Sequence, residues 1–181
     1  MKIQLVSLNA NSMSDIPVWS HPPYSCKYCF YWELPSANKD MEDNRASKMM
    51  AKKLAWLQHV QTNFGDCGIM LYVNEKAIAY AEYAPVRFLP NTINYPIPPT
   101  PDAVIIACLF VFDAAYRGQG FGTVLLNAVI ENLENRGVRA IEAIARKSSA
   151  NNPAGPFELY LKNGFTIYKD DPEFPLMRLE L

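Results

Sequence analysis

The chain has 181 residues, with 17 basic and 18 acidic side chains and four cysteines. This length fits one domain of ordinary size, and the balanced charge argues against nucleic acid or an anionic membrane surface as a partner. Four cysteines are too few for a disulfide-stapled secreted scaffold, and no stretch has the apolar run of a signal peptide or membrane span. We therefore expect a single cytoplasmic domain over residues 1–181.

The N-terminal part of the sequence predicts a strand, a loop and a helical segment. Residues 2–8 alternate and are rich in β-formers, which predicts a strand. Residues 9–36 contain four prolines and no long period, so we predict a loop. Between residues 36 and 64, apolar residues recur at spacings of three and four, and Gly65 is placed to end one or two helices. The apolar positions are Met50, Leu54, Leu57, Val60 and Phe64.

A hairpin and a proline-rich segment follow. Residues 68–73 and 76–84 are two strand-like runs on either side of Asn74-Glu75, which is a poorer turn pair than Asn-Gly. Residues 85–101 carry six prolines, so we predict a connecting loop without regular structure.

The C-terminal half predicts a strand–helix–strand unit and three further elements. Residues 103–112 form a nearly continuous apolar run, which is typical of a central strand covered on both faces. A helix ending at residues 135–137 leads to a parallel strand at 138–145. Residues 155–165 predict a short helix. Two closing strands are TIYK at 166–169 and EFPLMRLEL at 173–181.

Three glycines on alternate positions, Gly118, Gly120 and Gly122, follow Arg117 in the sequence FDAAYRGQGFGTVLLNAVIENL at 112–133. Glycine costs about 0.8–1 kcal/mol relative to alanine inside a helix, so these positions need another reason. A strand that turns through glycines into a helix presents free amides and the positive end of the helix dipole, and Arg117 adds a charge. A tight turn accounts for one or two glycines, whereas a phosphate or pyrophosphate site accounts for all three.

The glycine spacing shows which known phosphate-binding motifs this segment matches. A P-loop requires a lysine after its last glycine, and none is present here. A dinucleotide fingerprint requires Gly-x-Gly-x-x-Gly, whereas Gly122 comes one position too early. Glu142 stands about where a ribose-binding acid would lie, so the dinucleotide interpretation stays open as a weaker alternative.

The segment from Arg117 to Gly122 resembles the Arg/Gln-x-x-Gly-x-Gly/Ala signature of the GNAT superfamily of acyl-CoA-dependent N-acetyltransferases. Residues 159–165, LYLKNGF, resemble its second landmark, a tyrosine four residues before a Gly-Phe pair. The order of elements agrees along nearly the whole chain. The resemblance implies an α+β GNAT fold, with a mixed central β-sheet flanked by helices, that transfers an acetyl group from acetyl-CoA to a primary amine by direct attack in a ternary complex.

The resemblance also implies a cosubstrate site without a metal. It places the pantetheine arm beside the central strand and the pyrophosphate on the backbone of the glycine turn. Asn152 is expected to contact pantetheine, although ANNPAGP at 150–156 departs from the usual family pattern. The cofactor-binding residues implied in this way are Leu109, Phe110, Val111, Arg117, Gly118, Gln119, Gly120, Phe121, Gly122 and Asn152.

The resemblance assigns the protonation of the departing CoA thiolate to Tyr160. A phenol with a pKa near 10 is a competent proton source for a thiolate near 8.5, and the alternative is one more aromatic ring on a buried helix face. A backbone amide near Val111 is placed to stabilise the developing oxyanion.

The attacking amine must lose a proton, and Glu82 ranks first as base because the hairpin should approach the acyl end. The other candidates are Glu33, Asp113 and Glu142.

Two residues separate Cys26 from Cys29, and His21 lies nearby in the sequence, so zinc binding or redox chemistry must be weighed. The remaining cysteines, Cys67 and Cys108, fall in or beside strands and do not form a second zinc knuckle. We favour thiols packed in an aromatic loop over the substrate cleft. The residues expected to wall an acceptor pocket are Tyr24, Phe30, Tyr31, Trp32 and Glu33.

Two other function classes stay open at this point. One is a non-catalytic domain that binds CoA as a sensor, and the other is a zinc or redox protein that uses Cys26 and Cys29. The acceptor is a small-molecule or peptide amine, and the sequence does not distinguish a peptide N-terminus, a lysine, a polyamine or an antibiotic amine. A homodimer is compatible with these expectations.

Overall fold

The computed structural model describes residues 1–18, 25–33, 46–149 and 152–181. Seven strands form one sheet in the order β1-β2-β3-β4-β5-β7-β6, in which β4 and β5 are parallel and the other neighbours are antiparallel. The strands are β1 (Ile3–Ser7), β2 (Gly68–Val73), β3 (Lys76–Pro85), β4 (Val104–Val111), β5 (Ala140–Ile144), β6 (Thr166–Lys169) and β7 (Leu176–Glu180). The α-helices are α1 (Ala10–Ser14), α2 (Ala46–Asn63), α3 (Phe121–Glu134) and α4 (Phe157–Lys162).

Helices cover both faces of this mixed sheet, which agrees with the predicted α+β architecture. On one face, called the α3 face, Leu71 and Tyr83 of the sheet share a core with Leu125 of α3. On the opposite α2 face, Met70 and Tyr80 pack in a second core with α2 and the 25–33 loop. Within the described ranges, no helix is long and apolar enough to cross a membrane.

Most of the predicted elements are confirmed, including the hairpin. Asn74 and Glu75 both have positive φ values, 47° and 69°, as a tight two-residue turn between twisted strands requires. The predicted helical segment is realised as α2, and residues 34–45 lie outside the described part of the chain.

Two segments predicted as irregular contain short helices. The loop predicted over 9–36 includes α1, because Asn9 and Ser12 form a reciprocal capping box. The proline-rich segment predicted over 85–101 contains two 3₁₀ helices, since proline is tolerated in a first helical turn, where no amide partner is needed. These 3₁₀ helices are Val86–Phe88 and Pro90–Asn94.

A β-bulge in β4 prepares the functional site. The pairing of β3 with β4 shifts between Glu82 and Tyr83, and Ala107 is the extra residue of β4. Bulges bend a strand and increase its local twist. Before the bulge β4 pairs with β5, whereas beyond it the two strands diverge and leave one edge of β4 free. The β4–β5 pairs are Val104 with Ile141 and Ile105 with Glu142.

Candidate active site

A cleft of about 540 Å³ opens where β4 and β5 diverge. It lies between the free edge of β4, the glycine turn and the segment that leads into α4. All the cofactor-binding residues predicted from the sequence line it except Gln119 and Phe121. The lining residues are Leu109, Phe110, Val111, Arg117, Gly118, Gly120, Gly122, Thr123, Asn152, Gly155, Pro156 and Leu159.

The free edge of β4 presents backbone groups to the cleft. The Leu109 amide donates to the Pro153 carbonyl oxygen at 2.7 Å, so it points away from β3. Since amides alternate along a strand, the Val111 amide points to the same side. The Val111 carbonyl oxygen accepts a hydrogen bond from Arg117 Nε at 2.8 Å. The edge expected to pair with pantetheine therefore borders the cleft, and its Leu109 amide is engaged by Pro153.

The glycine turn leaves its amides uncovered. Gly118 and Gly120 have φ values of 73° and 87°, a region that side-chain-bearing residues rarely adopt. Gly120 is the N-cap of α3 and makes no side-chain cap, so the first-turn amides lack the usual partner. A Cβ at either glycine would lie more than 4 Å from every described atom outside that glycine and its two chain neighbours, so both positions face open space. Uncovered amides at a helix N-terminus form an arrangement that binds anions.

Side chains around the turn hold its shape. The Arg117 guanidinium stacks 5.2 Å from the Phe110 ring centroid and stays exposed at the rim. The Gln119 side chain folds back to donate to the Ala115 carbonyl oxygen at 2.6 Å. Phe121 is buried in the core against Tyr116. Only the backbone amides of Gln119 and Phe121 thus remain available to a ligand.

A tight turn before α4 forms the opposite wall. Asn152 lines the cleft and donates from Nδ2 to the Gly155 carbonyl oxygen at 3.1 Å, while the Gly155 amide donates to the Asn152 carbonyl oxygen. Sequence reasoning missed Thr123, Gly155, Pro156 and Leu159. Thr123 was detectable, since it lies in the first turn of α3, whereas Gly155 reaches the cleft only through the tertiary fold.

Tyr160 lies directly behind this wall. Its hydroxyl is fully buried and donates a hydrogen bond to the Ala154 carbonyl oxygen. A Cβ on Gly155 would lie 3.6 Å from both the Tyr160 hydroxyl and the Leu109 carbonyl oxygen. Burial raises the pKa of Tyr160, so the phenol keeps its proton at neutral pH.

Residues 28–165 match the sequence model of the Acetyltransferase (GNAT) family. The chain belongs to this family. The match contains both landmarks on which the resemblance depended, the glycine turn and the Tyr160 segment, and it confirms that resemblance. Family membership supports acetyl-CoA as the cosubstrate.

Solved structures show the same fold. PaiA N-acetyltransferase from Thermoplasma acidophilum, in complex with coenzyme A, has a TM-score of 0.62 at 15% identity over 100% of both chains. An N-acetyltransferase from Staphylococcus aureus Mu50 has a TM-score of 0.60 at 17% identity, over 100% of this chain and 98% of the other. The ribosomal-protein-S18-alanine N-acetyltransferase from Escherichia coli has a TM-score of 0.53 at 19% identity, over 99% and 94%. No curated protein matches the sequence.

On the α2 face of the GNAT sheet, Glu33, Lys53 and Glu82 form a buried cluster, called the charged triad. Their exposed fractions are 8%, 3% and 0%. Lys53 Nζ hydrogen-bonds Glu33 and lies 2.7 Å from Glu82 Oε2. That contact is close but poorly directed, and neither Glu82 oxygen accepts a well-oriented hydrogen bond from the described residues. Burial raises the pKa of Glu82 to about 8, with Lys53 lowering it and Glu33 raising it.

Sequence reasoning missed Lys53 because it placed the first half of the apolar stripe of α2 one position too late, at Met50 and Leu54, whereas Leu57 and Val60 are buried as predicted. Met50 and Leu54 are only partly buried. A lysine one turn before the buried Leu57 is the signal that was available, since a buried lysine requires an acidic partner. The buried residues of α2 are Met49, Lys53, Leu57 and Val60.

The aromatic loop contributes mainly buried rings. Phe30 and Trp32 are buried, and Trp32 stacks on Tyr95 with 5.3 Å between ring centroids. Tyr31 is 41% exposed, and its hydroxyl lies 3.0 Å from that of Tyr95. Of the predicted acceptor-pocket rings that the structure describes, Tyr31 is the one open to solvent, and Tyr24 lies outside the described residues.

The other carboxylates proposed as bases are already engaged. Glu142 is fully buried, accepts two hydrogen bonds from Thr100 and pairs with Arg178 at 2.8 Å. This pairing also leaves no free carboxylate oxygen for a ribose, so the arrangement does not support the dinucleotide alternative. Asp113 pairs with Lys76 at 2.6 Å and caps the turn at 114–116.

The cysteine loop contains neutral thiols. Burial raises the pKa of Cys26 to about 12 and that of Cys29 to about 11. Among the residues with described positions, no group of three or more metal-ligand side chains is arranged to hold an ion. His21 lies outside that part of the chain.

Proposed function

We propose that this GNAT protein transfers the acetyl group of acetyl-CoA to a primary amine by direct attack in a ternary complex. The observation that carries the proposal is the position of the β4 bulge, with an amide-lined cleft beside β4 and Glu82 on the neighbouring strand β3.

The cleft supplies binding groups from the backbone. When bound, acetyl-CoA provides an activated thioester. The first-turn amides of α3 and the Arg117 guanidinium bind the phosphates, because both present hydrogen-bond donors to negative oxygens. The Val111 amide is the donor that we assign to the acyl oxygen as it gains negative charge.

Tyr160 is the hydrogen-bond donor that we assign to the leaving sulfur. Its raised pKa makes complete proton transfer to a thiolate unfavourable, so the hydroxyl acts mainly as a hydrogen-bond donor while charge develops. Gly155 lines the cleft, and because it lacks a side chain no Cβ stands 3.6 Å from this hydroxyl on the side of the cleft. To reach the sulfur the hydroxyl exchanges its bond with the Ala154 carbonyl oxygen.

Glu82 is the base that we assign to the acceptor ammonium. A carboxylate with a pKa of about 8 takes a proton from an amine at lower cost than an ordinary carboxylate does. Its neighbour across the sheet is Cys108, next to Leu109 on the cleft edge. This register supports the assignment, although Glu82 itself is fully buried and is not one of the residues that line the cleft.

A steady-state assay tests the proposal. The purified protein is incubated with acetyl-CoA and a panel of amines, comprising a peptide with a free N-terminus, a lysine amide, a polyamine and an aminoglycoside, and thiol release and acetylated product are followed. Intersecting double-reciprocal lines are expected, whereas parallel lines would indicate a covalent acyl-enzyme. Tight CoA binding without transfer to any amine would favour the non-catalytic CoA-binding domain instead.

A further inference from the structure

We propose that Lys53 and Glu33 are positioning residues that hold Glu82 at the β4 bulge and control how readily it accepts the proton of the acceptor amine. This inference rests on the proposed function, because it assigns a control to the base of that same reaction. It makes the charged triad a unit in which the lysine is shared unequally between two carboxylates.

The geometry of the triad carries this inference. Its members come from three separate elements, the 25–33 loop, α2 and β3. The Lys53 ammonium lies 5.0 Å from the Trp56 ring centroid and 5.9 Å from that of Phe30. Aromatic faces stabilise a desolvated cation, so the ammonium is fixed between the two carboxylates.

The sharing of Lys53 is asymmetric. The ammonium hydrogen-bonds Glu33, whereas Glu82 receives a close charge contact and no well-directed bond from the described residues. A buried carboxylate whose nearest cation is poorly directed is incompletely compensated, and when Glu82 is ionised the two carboxylates and one ammonium carry a net charge of −1. Glu82 is therefore the member of the triad that is ready to take a proton from an incoming ammonium.

The other titratable groups around Glu82 keep their protons. Each is wholly or partly buried, and desolvation raises its pKa, so none of them carries a charge at neutral pH. Lys53 and Glu33 are consequently the charged groups that act on Glu82. The neutral neighbours are Tyr80 on β3, Cys26 and Cys29 on the 25–33 loop, Cys67 before β2 and Cys108 on β4.

Two substitutions should move the pH dependence of catalysis in opposite directions. Glu33→Gln removes a negative neighbour, so Glu82 ionises more easily and the acid limb of kcat/KM should move to lower pH. Lys53→Met removes the positive neighbour, so the same limb should move to higher pH. A charge within 4–6 Å shifts a carboxyl pKa by about one unit or more, and we expect limb shifts of about that size. Lys53→Arg should return the limb towards its original position.

The pH dependence of kcat/KM is measured with the panel amine that reacts fastest. Because the same amine is used throughout, its own titration affects the wild type and all variants equally. Lys52→Met, an exposed change on the same helix, and Glu134→Gln, an exposed change on α3, are the matched controls and should leave the profile unmoved. CoA affinity should be unchanged throughout. If Lys53→Met fails to fold, the shift of the acid limb in the isosteric Glu33→Gln variant decides the test by itself.

The outcomes separate the two proposals. No acetyl transfer by the wild type would overturn the proposed function. Transfer by the wild type, with a folded Glu33→Gln variant whose acid limb stays in place or moves upwards, would overturn the role of the triad and leave the proposed function standing. Shifts of the acid limb in opposite directions in Glu33→Gln and Lys53→Met support the inference. A purely structural role of these residues would change stability without changing the pH profile.

Discussion

The cleft beside β4 and the charged triad around Glu82 of β3 lie at neighbouring strands of the same sheet but are built from different parts of the chain. The cleft is bounded by backbone amides, two glycines with positive φ and an exposed arginine. The triad consists of three buried ionisable side chains, so its chemistry comes from side chains and not from the backbone.

This difference determines which substitutions each region tolerates. A surface made of amides recognises its ligand by shape and hydrogen-bond direction, so it is damaged mainly by side chains that cover the amides. A buried cluster of charges depends on the chemical identity of every member, because removing one partner leaves another uncompensated. Substitutions in the two regions should therefore separate binding of CoA from control of proton transfer.

The largest effect is expected from Gly120→Glu, which should reduce CoA affinity at least about 100-fold because its carboxylate would project over the phosphate-binding amides and repel the ligand. Isothermal titration calorimetry measures the loss. Gly137→Glu is the matched control, since Gly137 also has a positive φ, 70°, and open space around its Cβ position, but lies at the far end of α3. Equal CoA affinity in a folded Gly120→Glu variant would remove the basis for the phosphate site.

The next largest effect is expected from Tyr160→Phe, which removes a donor while keeping the ring that packs on Phe165. Turnover should fall by about 10²–10⁴, the range typical of acid–base groups, with CoA affinity little changed. The lost bond to the buried Ala154 carbonyl oxygen should cost about 1–2 kcal/mol of stability.

Tyr83→Phe is the control for this prediction. The Tyr83 hydroxyl bonds Asn132 at 3.0 Å on the same face of the sheet, away from the cleft lining, so its removal should reduce stability without reducing turnover. A Tyr160→Phe variant with turnover within about threefold of the wild type would return Tyr160 to a packing role.

The smallest effect is expected from replacing Cys26 and Cys29 together with serine. Their raised pKa values keep both thiols neutral, so the charge around the triad is unchanged and CoA binding should be retained. We also predict no stoichiometric metal in the wild type, measured by elemental analysis. Stoichiometric zinc, with loss of the fold on chelation, would instead establish a structural metal site in this loop.

Local patterns were sufficient to predict the side of the cleft that β4 and the glycine turn form. The apolar run of β4, the alternating glycines and the start of α3 are contiguous, and each depends on the period or backbone freedom of a single segment. The hairpin at Asn74-Glu75 was predictable for the same reason. Because a phosphate site of this kind is made by consecutive amides, the sequence that forms the turn also forms most of the site.

The charged triad and the bulge were decided by the tertiary structure. Glu142 looked like a free carboxylate in the sequence, but its partner Arg178 lies 36 residues away and reaches it only because β5 and β7 pair. Lys53 and Glu82 likewise meet only after α2 packs on the sheet, and Ala107 bulges only through its register with β3. A sequence period reports which face of one element is apolar, whereas the charge state of a buried carboxylate depends on groups from several elements, whose positions the fold alone fixes.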